Sequence, residues 1–111
     1  MRAMNLSEPE FHARADAVLA DLEATVDAGA AELDCETVGD VMTLEFANGT
    51  KIILNKQTPL RQIWVAAKSG GFHYKFDPSG DRWVNEQTGV ELFEDLSRLA
   101  TQQAGAPVKL R

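Results

Sequence analysis

Six carboxylates in the first third of the chain are the side chains most able to do chemistry. Three recur at helical spacing and three alternate along the segment that follows: Asp16, Glu23 and Asp27, then Glu32, Asp34 and Glu36. At about 100° per residue the first three cluster on one side of a helix, and alternate residues of a strand point the same way. No lysine or arginine lies between the first and the last of the six. We therefore expect them to share one edge of the molecule as unpaired charges.

Carboxylate oxygens bind hard cations such as calcium, manganese and iron. The six acids lack the fixed ligand spacing of a calcium loop, so they predict an open, weak metal site that accepts several ions. His12, one turn before Asp16, is placed to join them, although a surface histidine without a metal role is the more common case. The alternative is a solvated face that only keeps the protein soluble.

A second feature is a tryptophan among amide side chains. Ile63 and Val65 alternate with Gln62 and Trp64, so if the two aliphatic residues face the core, Trp64 lies on the solvent side of a sheet. Asn55, near the end of the preceding strand, is placed to share that side. This arrangement is typical of a protein-binding hot spot. The alternative is that Trp64 packs against cross-strand neighbours for stability alone.

The remaining reactive side chains favour no catalytic chemistry. Cys35 is the only cysteine, which excludes an internal disulfide and fits a reducing cytosol. The neighbouring Asp34 and Glu36 are expected to raise the pKa of its thiol. We find no Ser–His–Asp arrangement, catalytic carboxylate pair or phosphate-binding glycine loop. The sequence therefore predicts a cytoplasmic protein that is not an enzyme.

Composition predicts one globular domain over residues 1–111, of which residues 1–4 are expected to be disordered or dispensable because Met4 can itself be a start site. Hydrophobic residues make up 44% and charged residues 25%, as in ordinary folded proteins. The net charge of −6 disfavours nucleic acid and anionic membranes as partners and favours cations and basic protein surfaces. No apolar run is long enough to span a bilayer.

Two amphipathic helices are predicted near the ends of the chain. The first begins at a capping box of Ser7 and Glu10 and extends to about residue 28. The second is expected to begin near Thr88, where Thr88 and Glu91 offer another capping box, and to end at Gly105.

Alternating apolar residues and turn signals predict about six short strands between the helices. Their expected bounds are residues 33–38, 41–46, 51–55, 62–67, 72–77 and 82–85. The short turns imply an antiparallel meander, and the single apolar face of each helix places both helices side by side on one sheet face. We therefore predict an α+β two-layer sandwich, with Trp83 in its core and the last residues packed back on the domain.

One ten-residue segment resembles a family signature. Residues 55–64, Asn-Lys-Gln-Thr-Pro-Leu-Arg-Gln-Ile-Trp, resemble the N-[KR]-Q-x-P-x-x-Q-[IV]-W motif of frataxins. Further segments match the bacterial branch in the same order: Phe11-His12, Leu33 to Glu36, Asn48-Gly49, Gly70-Gly71, Trp83 and residues 100–105. The chain is thereby identified as a member of the frataxin family, whose fold is the sandwich predicted above.

The resemblance implies a function in iron–sulfur cluster assembly. It implies that the six carboxylates form a ridge that binds ferrous and ferric iron weakly at the surface, with fewer acids than in many bacterial relatives because Ala24 and Ala28 interrupt it. It also implies that the ridge meets a basic surface of the cysteine desulfurase. The sheet face that contacts the desulfurase or the scaffold protein then carries Asn55, Gln57, Gln62 and Trp64.

The implied protein is thus an iron-binding regulator of the desulfurase, expected as a monomer that iron can drive into oligomers. Two other functions stay open at this point. One is ferroxidase activity with iron storage or iron donation, and the other is a metal buffer without a protein partner.

Overall fold

The first helix follows its sequence signals closely. In the computed structural model, which describes residues 6–29 and 32–110, helix α1 spans Glu8–Asp27. The Ser7 hydroxyl accepts a hydrogen bond from the Glu10 N–H, while the Glu10 carboxylate accepts one from the Ser7 N–H. The predicted capping box is therefore confirmed. The prediction for residues 1–4 lies outside the described residues.

Six antiparallel strands form one sheet in which each strand pairs with the next. They are β1 Leu33–Val38, β2 Val41–Phe46, β3 Lys51–Gln57, β4 Gln62–Ala67, β5 Gly70–Asp77 and β6 Arg82–Asn85. Strands β3 and β5 are longer than predicted because the pairs Gln57–Gln62 and Ala67–Gly70 continue the ladders up to the turns. A single turn of 3-10 helix, Thr58–Leu60, links β3 to β4.

One face of this sheet packs against both helices. Helix α1 contributes Phe11 and Leu22, and helix α2, Leu92–Ala104, contributes Leu96 and Leu99, all fully buried. They join alternate strand residues in one cluster that includes Met42, Leu44, Ile52, Leu54, Ile63, Val65 and Tyr74. Trp83 is buried in the same cluster, as predicted. The two-layer α+β sandwich with both helices on one sheet face is confirmed.

The predicted start of α2 is wrong. Thr88 does not cap the helix, which begins at Leu92 with the Glu91 carboxylate accepting from the N–H groups of Phe93 and Glu94. The reason is a competing turn, in which the Asn85 side chain accepts from the N–H groups of the residues at positions 87 and 88. The predicted end of α2 at Gly105 is confirmed.

The residues after α2 pack back on the domain, as predicted. Val108 and Leu110 are buried. The Thr101 hydroxyl accepts from the Val108 N–H, and the Ser97 hydroxyl accepts from the Leu110 N–H. These contacts place the tail beside α2, so it completes the helix layer.

A buried tyrosine makes the stability of this fold sensitive to alkaline pH. Tyr74 is fully buried, and its hydroxyl donates to Asp95 Oδ2 at 2.7 Å. Burial, and after it the hydrogen bond and charge of Asp95, raise the pKa of Tyr74 well above its usual value. Above about pH 10 the unfolded chain therefore loses a proton that the folded protein keeps. The Tyr74 contribution to stability is complete below that pH and is lost as the pH rises further.

We expect the free energy of unfolding in urea to fall as the pH rises from about 10 to about 11.5. The Y74F variant should be about 1 kcal/mol less stable at pH 8, because it lacks the hydrogen bond, but should lose less stability on the same pH change. Tyr74 is the only tyrosine of the chain, so the comparison isolates one group. Equal losses in both proteins would show that Tyr74 is not the source.

Candidate functional site

Strand β1 lies at an edge of the sheet and carries carboxylates on its outer face. Among the described strands it pairs only with β2. Leu33 and Cys35 are half-buried and pack against the core, whereas Asp34 and Glu36, which alternate with them, are exposed. Since successive strand residues point to opposite faces, the two β1 carboxylates lie on the sheet face opposite the helices.

Two carboxylates of α1 lie on the other side of the same strand. Glu23 and Asp27 are exposed and one helical turn apart. The pKa of the Cys35 thiol is raised first by burial and then by the negative charges of Glu23 and Asp27. The expected direction of this shift is confirmed, but the charges responsible come from the helix rather than from the sequence neighbours. Strand β1 is therefore flanked by acids on both faces.

These acids have no basic partner in the part of the chain that the structure describes. We call the group Glu23, Asp27, Glu32, Asp34 and Glu36 the β1 acidic edge. Within the described residues, no lysine, arginine or histidine nitrogen lies within 4.0 Å of any of their carboxylate oxygens. Carboxylates without a nearby base favour the approach of a cation or a basic protein surface.

Asp16 departs from the expectation of unpaired charges. Its Oδ1 accepts a hydrogen bond from Lys56 Nζ at 2.6 Å, and the same ammonium lies 3.5 Å from Asp40 Oδ1 and 3.4 Å from His12 Nδ1. The side chain of Lys56 is only 9% exposed. No base lies between Asp16 and Glu36 in the sequence, but β3 supplies one from 40 positions further along the chain. Asp16 is therefore excluded from the β1 acidic edge.

The metal chemistry available at this edge is that of a hydrated ion at a surface. Among residues 6–29 and 32–110, no three His, Cys, Asp or Glu side chains come close enough together to hold one metal ion. Hard oxygen donors are present on both sides of β1, but no closed coordination shell surrounds a single point. These donors suit a hard cation that keeps most of its water ligands.

The four predicted partner-binding residues lie together on the open face of the sheet. Asn55 of β3 pairs directly with Trp64 of β4, and Gln57 pairs with Gln62. Ile63, which lies between Gln62 and Trp64 on β4, is buried against the helices. The indole of Trp64 therefore points away from the core. The alternation predicted from sequence is thus correct. We call Asn55, Gln57, Gln62 and Trp64 the Trp64 face.

Two further residues contact the Trp64 face and were not predicted to belong to it. His73 of β5 stacks on the indole of Trp64, and Glu86, just after β6, accepts from Gln62 Nε2. The signal for His73 was its place on a predicted neighbouring strand. Predicting its contact with Trp64 also requires the register of β4 against β5, which the sequence does not specify.

Comparison with known proteins places this arrangement in one class. A frataxin-like domain model matches residues 4–106. The chain is 48% identical over 105 residues to the iron-sulfur cluster assembly protein CyaY of Paraburkholderia phymatum, covering 95% of this chain and 98% of that one. It is 49% identical over 109 residues to the CyaY protein of Cupriavidus pinatubonensis, covering 95% and 96%.

Solved structures agree with the sequence comparison. Frataxin from Psychromonas ingrahamii superposes with a TM-score of 0.87 at 31% identity, covering 96% of this chain and 99% of that one. A crystal structure of trimeric frataxin from the yeast Saccharomyces cerevisiae, complexed with ferrous ion, gives a TM-score of 0.64 at 27% identity and covers 94% and 91%.

The matching domain model, the relatives and the superposed structure together define a frataxin-like protein. The chain belongs to the frataxin family. Neither helix in the described part of the chain is both long and apolar enough to cross a membrane.

Proposed function

We propose that this protein is a non-enzymatic, iron-responsive component of iron–sulfur cluster assembly. In this proposal the β1 acidic edge binds iron and a basic surface of the cysteine desulfurase, and the Trp64 face contacts the desulfurase or the scaffold protein. The CyaY relatives are iron-sulfur cluster assembly proteins, which supports the assignment to this process. The observation that carries the mechanism is the set of five carboxylates around β1 that have no basic partner within the described residues.

Iron and the desulfurase use the same charges in this mechanism. Unpaired carboxylates accelerate the encounter with a basic partner and add affinity that depends on salt. A bound cation neutralises part of that charge, so iron changes the affinity for the desulfurase. Yeast frataxin has been crystallised with ferrous ion, and the oxygen donors of the β1 acidic edge are of the type that hard cations prefer.

The proposal predicts where ferrous ion binds. In an anaerobic NMR titration, paramagnetic broadening should first remove the backbone amide signals around Glu23, Asp27, Asp34 and Glu36. The amides around Asp16 should persist to higher iron concentration, because the Lys56 ammonium occupies its carboxylate. In the Lys56→Met variant that carboxylate is free, and the broadening should extend to Asp16 at the lower concentration.

The matched control is Lys109→Met, which removes one positive charge from an exposed site in the tail. It should leave the broadening pattern of the wild-type protein unchanged. The proposal fails if ferrous ion broadens signals uniformly, or first at a site away from β1. If Asp16 responds equally in all three proteins, Lys56 does not compete with the metal.

A further inference from the structure

Four side chains on the open sheet face contact one another in a closed ring. Trp64 stacks on His73, its cross-strand neighbour, with ring centroids 4.2 Å apart and an interplanar angle of 12°. Indole Nε1 of Trp64 donates to Oε1 of Gln62 at 2.7 Å. Glu86 completes the ring, because its two carboxylate oxygens contact Gln62 Nε2 at 3.0 Å and His73 Nδ1 at 3.1 Å.

The main chain fixes the position of Glu86. Its N–H donates to the carbonyl oxygen of His73 at 3.0 Å, which extends the pairing of β5 beyond the end of β6. The preceding residue, Asn85, is buried, and its side chain holds the turn that follows. The Glu86 side chain is 36% exposed, yet it emerges from an anchored backbone. Its carboxylate can therefore hold Gln62 and His73 in place.

The ring determines what Trp64 offers to a partner. One indole face is covered by His73, and the indole N–H is already bonded to Gln62. A partner can therefore contact only the parts of the indole that these two residues leave uncovered. Because the indole is held on two sides, it loses little conformational freedom when a partner binds, and this preserves affinity.

We infer that Glu86 and His73 are positioning residues that pre-organise Trp64 for binding the desulfurase–scaffold complex. Glu86 acts through Gln62 and His73 and need not contact the partner. The inference rests on the proposed function, since it takes the Trp64 face as a partner-binding surface. The inference adds Glu86 and His73 to that face because they contact Gln62 and Trp64.

The first test uses the free protein. In Glu86→Ala, the NMR signal of the Trp64 indole N–H should shift and exchange faster with solvent, because Gln62 and His73 lose their common acceptor. The indole of Trp83, which is 3% exposed, serves as the internal reference. The matched control is Glu94→Ala, which removes an exposed carboxylate from α2. An unchanged Trp64 signal in Glu86→Ala would overturn the inference.

The conservative variant Glu86→Gln adds a signature that a general loss of structure would not give. A carboxylate only accepts hydrogen bonds, so Nδ1 of His73 carries a proton in the wild-type contact. A glutamine that accepts from Gln62 presents its NH₂ group to His73. Nδ1 must then become an acceptor, and in the neutral ring the proton moves to Nε2. Imidazole ¹⁵N shifts at pH 8 should report this change of tautomer.

Binding completes the test. Glu86→Ala should weaken binding of the desulfurase–scaffold complex about fivefold, the effect of one side chain that must be ordered on binding. Glu86→Gln should stay close to wild type. If Glu86→Ala frees the indole without changing the affinity, the positioning inference is wrong. In that case the proposed function stands only if Trp64→Ala still weakens binding, so the two failures are distinguishable.

Discussion

Neutralising Asp27, Asp34 and Glu36 together should weaken cysteine desulfurase binding about tenfold at low ionic strength. These three carboxylates flank β1 on both faces and have no basic partner in the described structure. Exposed ion pairs contribute about 0.5 kcal/mol each, so three lost pairs account for about 1.5 kcal/mol, which corresponds to about tenfold in affinity. The effect should shrink as salt screens the charges. Calorimetric titration of D27N/D34N/E36Q at two salt concentrations measures both quantities.

A matched triple variant separates position from total charge. Glu8, Asp21 and Glu94 are exposed carboxylates outside the β1 acidic edge, and E8Q/D21N/E94Q changes the net charge by the same amount. We expect this control to bind the desulfurase nearly as tightly as the wild-type protein. Equal weakening by both triple variants would mean that only total charge matters. No weakening by either would remove the acidic edge from the interface.

The second large effect is expected at the Trp64 face. Trp64→Ala should weaken binding of the desulfurase–scaffold complex about 30-fold, because a tryptophan at the centre of an interface typically contributes 2 kcal/mol or more. The fold should survive, since the side chain lies on the open face of the sheet and contacts His73 and Gln62 rather than the core. Calorimetric binding measurements combined with urea unfolding distinguish lost affinity from lost stability.

Two further variants serve as controls for this prediction. Trp64→Phe keeps a ring to stack on His73 but lacks the N–H that donates to Gln62, so it should fall between the wild type and Trp64→Ala. Glu94→Ala removes an exposed side chain from α2, on the helix side of the sheet, and should bind normally. A Trp64→Ala protein that folds and binds like the wild type would contradict the assignment of this face.

Short-range patterns were sufficient to predict most of the fold. The alternation of Ile63 and Val65 with Gln62 and Trp64 correctly assigned the two faces of β4, because the side-chain period of a strand is two. The Ser7–Glu10 capping box correctly began α1. The same kind of signal failed at Thr88, where a turn held by the buried side chain of Asn85 took precedence over a capping box. Two local motifs compete for this segment, and the turn held by the buried Asn85 side chain forms instead of the capping box.

The candidate site was less predictable because its decisive contacts join residues far apart in the chain. The prediction that Asp16 is unpaired rested on the absence of bases nearby in the sequence, whereas its partner Lys56 comes from β3. The ring through His73 and Glu86 likewise depends on the register of β4 against β5 and on the turn after β6. Residue types identify candidate ligands, but the registers of distant elements decide which of them are free.

The most direct test of the central claim is whether iron and the desulfurase compete for the same carboxylates. The desulfurase dissociation constant should be measured with and without ferrous ion for wild type, D27N/D34N/E36Q and E8Q/D21N/E94Q. We predict that iron changes the constant in the wild type and in the control triple, and changes it much less in D27N/D34N/E36Q, which keeps only Glu23 and Glu32 of the β1 acidic edge. By linkage, the desulfurase must change the iron affinity by the same factor. An iron effect that persists undiminished in D27N/D34N/E36Q would contradict the account.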